Sequence, residues 1–188
     1  MIMKRNMLLV FVLITTISCF GQTPSSKQVS LEGKENNNQA FQSLNHQEKI
    51  NFIIHQKMEK GWRLEKLGDF ITHPDDLEYI NNIQKTAKNY PFTVFGDFDY
   101  DGTEDVALKV TRNGESKLAI YNSKKDELFW WNENVVRAVI SKTSSGEIYS
   151  FDRKKKIKPK GIVIKVEFLE VSAYFIYWDG KNFKQFWY

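Results

Sequence analysis

The sequence predicts an α+β domain, with two N-terminal helices packed on or beside an antiparallel sheet of seven to nine strands. Three observations carry this. Isoleucines recur at helical spacing between Ile50 and Met58, behind a cap signal. From Tyr90 onward the chain breaks into short runs rich in aromatic and β-branched residues, punctuated by turn residues. Asn113-Gly114 and Asp179-Gly180 then join neighbouring runs tightly enough to make hairpins.

In chain order, the first element is an export signal, residues 1–21. Lys4 and Arg5 form its basic start, and Met7 to Ile17 is an apolar core of eleven residues, too short to span a bilayer. Cys19 and Gly21 offer a small-x-small cleavage site before Gln22. A rival reading takes Ser18-Cys19 as a lipobox and places a lipid on Cys19, although Thr16 stands where that motif prefers Leu. Lipid on Cys19 is then the one expected contact with a membrane. Both readings take the chain out of the cytoplasm, to the periplasm, the outer membrane or the medium. Cys19 is the only cysteine, so an intramolecular disulfide is excluded and stability must come from the core, helped by metal.

Residues 22–44 read as a flexible polar tether, because Gln22 to Phe41 is rich in Ser, Lys, Glu and Asn and has no apolar period. The remaining domain, 45–188, is long enough for one real core. The chain carries 27 basic and 23 acidic residues, and loss of Lys4 and Arg5 leaves a balance of +2. That balance argues against nucleic acid as a partner.

Asn45 with Glu48 forms a capping box, and Ile50, Ile53, Ile54 and Met58 give the first helix its buried stripe, with Gly61 placed to end it. Trp62 to Phe70 reads either as a short strand or as an ordered connector. A second helix starts near His73. Pro74 suits its first turn, and Asp75, Asp76 and Glu78 suit its positive end. Leu77, Ile80, Ile83 and Gln84 or Ala87 are its expected buried face, and Asn89 and Pro91 stop it. Strands are then expected over Phe92–Phe98, Asp105–Thr111, Leu118–Asn122, Leu128–Trp131, Val135–Ile140, Glu147–Phe151, Gly161–Phe168, Ala173–Trp178 and Phe183–Trp187.

Between the first two strands lies the stretch richest in chemistry, GDFDYDGTEDVALKV from Gly96 to Val110. Asp97, Asp99 and Asp101 alternate, Gly102 follows, and Asp105 closes the set. Carboxylates this dense need a cation or open water. Ca²⁺ takes six to eight oxygens, and loops of this type supply them at positions 1, 3, 5 and 9, with a backbone carbonyl at 7. Here those are Asp97, Asp99, Asp101, Asp105 and the carbonyl of Thr103. An EF-hand would need Glu at position 12, and Leu108 stands there inside an apolar alternation. A metal-free acidic hairpin turn is the simpler alternative.

An acidic loop closed by Asp at position 9 and leading into a strand resembles the FG-GAP or VCBS-type repeat of β-propellers and bacterial envelope proteins. The resemblance rests on Phe95 to Val110 and departs at Tyr100, where the family usually has a small residue. The ending YFIYWDGKNFKQFWY is similar to the terminal hairpin of small VCBS-repeat proteins. The resemblance implies one or two propeller-type blades. A closed propeller is not expected, because DxDxDG occurs only once.

Other chemistry is thinly represented. His46, His55 and His73 belong to no metal motif, and no nucleophile elbow occurs. Arg153 to Lys160, RKKKIKPK, reads either as a patch for anionic headgroups or an acidic partner, or as a solvated hairpin loop. In Trp130-Trp131, strand geometry sends the rings to opposite faces. Two function classes follow. One is a noncatalytic, calcium-braced envelope module that binds a protein, glycan or toxin. The other is a hydrolase of wall or surface polymer.

Overall fold

A computed structural model describes residues 37–70, 74–84, 91–133, 135–144, 146–150, 154–169 and 172–188. The export signal and most of the tether lie outside the described residues, as do His73, Ala87, Asn89 and Arg153. No described helix is long and apolar enough to cross a membrane.

The fold is α+β and mostly antiparallel sheet. Helix α1 covers residues 37–43, so the last part of the expected tether is helical. The polar composition hid one anchor, Phe41, which is buried against Phe52 and Tyr121 at ring distances of 5.4 and 4.9 Å. Helix α2, His46–Phe52, opens with the expected capping box between Asn45 and Glu48. It runs into a π-helical turn, Ile53–Lys57. Ile50 and Ile53 are buried, and the positive φ of Gly61 turns the chain back. The unresolved choice at Trp62–Phe70 resolves as both a strand and a helix: β1 at Arg63–Leu64 and α3 at Leu67–Phe70. Helix α4, Pro74–Gln84, buries Ile80, whereas Leu77 of the expected stripe is exposed.

The strands form two main sheets rather than the single one expected. In the first, β2 (Thr93–Gly96), β3 (Asp105–Arg112), β4 (Glu115–Asn122) and β5 (Glu127–Trp131) form an antiparallel meander. β1 pairs with the far end of β3, so β1 and β2 lie along the same edge of that strand. In the second, β6 (Ala138–Thr143), β9 (Val163–Phe168), β10 (Ser172–Trp178) and β11 (Phe183–Trp187) are adjacent in that order. Between β6 and β9, strands β7 (Ile148–Tyr149) and β8 (Lys156–Ile157) make a small ladder. β8 lies inside the basic run, which is therefore not all loop. Strand β6 begins three residues later than expected, because Val135 is buried in the turn that precedes it.

Burial explains the layers. Val94, Phe98, Leu118, Ile120, Ile140, Ile164, Val166 and Ile176 interdigitate between the two sheets. On its other face the first sheet sends Phe95, Val106, Leu108 and Val110 against Phe41, Ile50 and Ile53 of the helices. Strand β3 is thus covered on both sides, which accounts for its nearly unbroken burial, Asp105 and Lys109 included. A smaller cluster joins Ile80 of α4 to Phe92, Val139 and Leu169. Trp130 and Trp131 face opposite layers as strand geometry demands, Trp130 toward Trp62 and Trp131 toward the inter-sheet core.

Candidate metal centre

The acidic loop joins β2 to β3 and is held at both ends. Phe98, fully buried, pins it to the inter-sheet core. The amide of Ile162 donates to the Asp97 carbonyl at 3.0 Å, and Gly161 packs so closely that a Cβ there would lie 2.9 Å from the carbonyl oxygens of Asp97 and Phe98. Only glycine fits that approach. Within the loop, Tyr100 and Gly102 take positive φ values of 61° and 87°. The Tyr100 side chain is 66% exposed, so the bulk that departs from the family pattern points away from the loop's interior.

The carboxylates wrap the loop around themselves. Asp97 accepts from the amides of Asp101 and Gly102, each at 3.0 Å. One Asp101 oxygen accepts from the Thr103 amide at 3.0 Å and from its hydroxyl at 2.6 Å. Asp105, which is fully buried, accepts from the amides of Phe98 and Ser123 at 3.2 and 3.0 Å. Asp97, Asp99 and Asp105 each bring a carboxylate oxygen within 4.8 Å of the others, a group able to hold a metal ion. Asp101 stands outside this trio. Its Oδ2 is nonetheless buried without a hydrogen-bond partner, as is Oδ1 of Asp99. Thr103 sits at the rim, its hydroxyl also 3.3 Å from Ser123 Oγ.

The turn between β4 and β5 closes the site, and its residues escaped the sequence reading. Asn122 Nδ2 and Lys125 Nζ donate to Asp99 Oδ2 at 2.7 and 2.8 Å, and Lys124 Nζ donates to the Asp101 carbonyl at 2.8 Å. The only sequence signal was a polar Asn-Ser-Lys-Lys run straight after an apolar strand. From the other side the helices grip the same loop. Buried Lys49 pairs with Glu104 at 2.7 Å, and Gln42 Nε2 donates to the Glu104 carbonyl and to Ser123 Oγ. Of the expected helix histidines, His46 stacks on Phe95 at 3.8 Å and His55 is exposed; neither joins the trio.

Burial shapes the electrostatics. Desolvation raises the Asp105 carboxyl from its ordinary 3.8 to about 7, against the lowering effect of the Ser123 and Phe98 amides; the charges of Asp99 and Asp101 push it further up. A divalent ion placed among these oxygens would reverse that balance and hold Asp105 ionised. No family model matches this chain, and no curated protein or solved structure matches it either.

Proposed function

We propose that this chain is a noncatalytic binding module of the cell envelope, exported from the cytoplasm, whose β2–β3 loop holds one calcium ion. In this reading the two main sheets are propeller-type blades packed face to face. The observation that carries the proposal is Asp99. Its side chain is 2% exposed and its Oδ1 has no hydrogen-bond donor, while Asp97 and Asp105 present oxygens alongside. Leaving a buried carboxylate oxygen unpaired is costly, and a hard cation relieves that cost directly. An all-oxygen donor set favours calcium over zinc or copper, and calcium's tolerance of irregular coordination favours it over the strictly octahedral magnesium. A binding role is favoured over hydrolysis by the position of the trio, which lines neither of two prominent clefts among the described residues. A hydrolase would need its carboxylates facing substrate in a groove.

Calorimetry on the purified protein tests this. One calcium per chain is expected, with magnesium binding more weakly, and Asp99→Asn removing most of the heat. For a Kd of about 0.1 mM and about 1 mM calcium, binding adds roughly 1.4 kcal/mol to stability. Wild-type protein that shows neither heat nor a calcium-dependent rise in Tm overturns the proposal.

A further inference from the structure

Beside the acidic loop, the edge strand β5 and the β10–β11 turn enclose a cleft of about 450 Å³. This lies within the range of roughly 300–1,000 Å³ that small-molecule sites occupy. Its floor is aromatic: Phe129, Trp131, Trp178 and Phe183. The rings brace one another, with Phe183 at 5.0 Å from Trp178 and 5.7 Å from Phe129, both edge-on. The turn is rigid as well, since the Asp179 carboxylate accepts from the amides of Lys181 and Asn182 at 2.8 Å. Two ammonium groups, Lys125 and Lys181, stand on the rim, and the one acid there is Glu127.

We propose that this cleft binds a saccharide carrying carboxylates, of the uronic-acid type, and that Lys125 is shared between it and the acidic loop. The proposal rests on the binding-module reading and gives it a ligand class. A sugar ring has an apolar C–H face that stacks on Trp178 and Trp131, and hydroxyl edges that suit Glu127 and Asn182. A carboxylate answers the net positive rim. Lys125 links the two sites physically. Its Nζ is 2.8 Å from Asp99 Oδ2 and 4.7 Å from the centre of the Trp178 ring. With a cation held by the loop oxygens, Asp99 would no longer need Lys125 for neutralisation. Lys125 would then be free to turn toward the cleft and pair with the ligand carboxylate. Calcium is therefore expected to strengthen binding of the acidic sugar.

The test is titration of the full protein with trigalacturonate and with its methyl ester, followed by tryptophan fluorescence and calorimetry, in chelator and in 1 mM calcium. The acid should bind at least tenfold more tightly than the ester, and more tightly with calcium than without. Trp178→Ala should weaken both sugars. Lys125→Met should abolish the preference for the acid, Lys125→Arg should restore it, and Lys181→Gln should reduce it. Equal binding of acid and ester overturns the proposal. So does no binding of either by wild-type protein whose calcium site is shown full by calorimetry, a result that leaves the metal site standing. An unchanged preference in folded Lys125→Met overturns the sharing of that residue.

Discussion

With calcium chelated, the domain should lose stability as pH rises from 4.5 to 7.5, opposite to the behaviour expected of a protein rich in paired carboxylates. The cause is Asp105. Folding carries its carboxyl from an ordinary 3.8 to about 7 by burial, so between those values the native state holds a proton that the unfolded chain has released. Stability then falls with pH, because the unfolded state binds fewer protons. At 1.36 kcal/mol per pH unit the whole interval amounts to roughly 4 kcal/mol as an upper bound. The charges around it are Asp97, Asp99 and Asp101 on the loop, Lys124 and Lys125 on the β4–β5 turn, and the Lys49–Glu104 pair from α2. Asp69, lowered to about 2 by its bond to Arg63, contributes stability that is lost only as pH falls below its ordinary value, outside this window. Urea unfolding followed by tryptophan fluorescence at four pH values should show a loss of about 2–4 kcal/mol in chelator. Saturating calcium should flatten or reverse the slope, since the ion binds only ionised Asp105. Asp105→Asn should be less stable overall, because its amide opposes one of two backbone donors, but independent of pH. Stability in chelator that is constant or rising across this window refutes the reasoning.

Two further outcomes follow from the packing. Lys109 and Glu65 form a buried ion pair at 2.8 Å, with Lys109 also donating to the Ala138 carbonyl at 2.7 Å; Lys109→Met alone should cost about 3–5 kcal/mol, while Lys109→Met with Glu65→Leu should recover most of it, as chemical denaturation of the double-mutant cycle will show. Gly161→Ala should cost about 1–3 kcal/mol and weaken calcium binding, because its methyl meets two backbone oxygens of the loop, whereas Gly68→Ala, with open space around it, should be nearly neutral by the same measurements.

Local signals were legible wherever one residue type fixes one backbone feature. The Asn45–Glu48 box, Pro74 at a helix start and the Asn113-Gly114 hairpin all stand where their chemistry requires, Asn113 and Gly114 with φ of 53° and 82°. What escaped depends on contacts between distant residues. The division into two sheets is invisible along the chain, because strands that share a core alternate in the same way as strands that share a sheet. Phe41 belongs to a polar segment, and its fit against Phe52 and Tyr121 anchors that segment to the fold. At the site, the dense spacing of Asp97, Asp99, Asp101 and Asp105 announced convergence, and three of the four, Asp97, Asp99 and Asp105, come together. Asn122, Ser123 and Lys125 look like ordinary turn residues until β4 returns them beside the loop.

That return gives the loop its mechanical meaning. The Asp99 carboxylate is reached by Asn122 and Lys125, and the Asp105 carboxylate by Ser123, so both belong as much to the β4–β5 turn as to their own strand connection. An ion centred on these oxygens would tie β2 and β3 to β4 and β5 at one end of the first sheet. Through Ile162 and Gly161 it would also bear on the segment entering β9 of the second. The sheets meet elsewhere through side-chain packing and a few hydrogen bonds, such as Lys142 Nζ to the Phe95 carbonyl at 3.1 Å. A charge-bearing tie at this corner, next to an aromatic cleft lined by Lys125, would place an ion where a modest binding energy could adjust the cleft without deciding the fold.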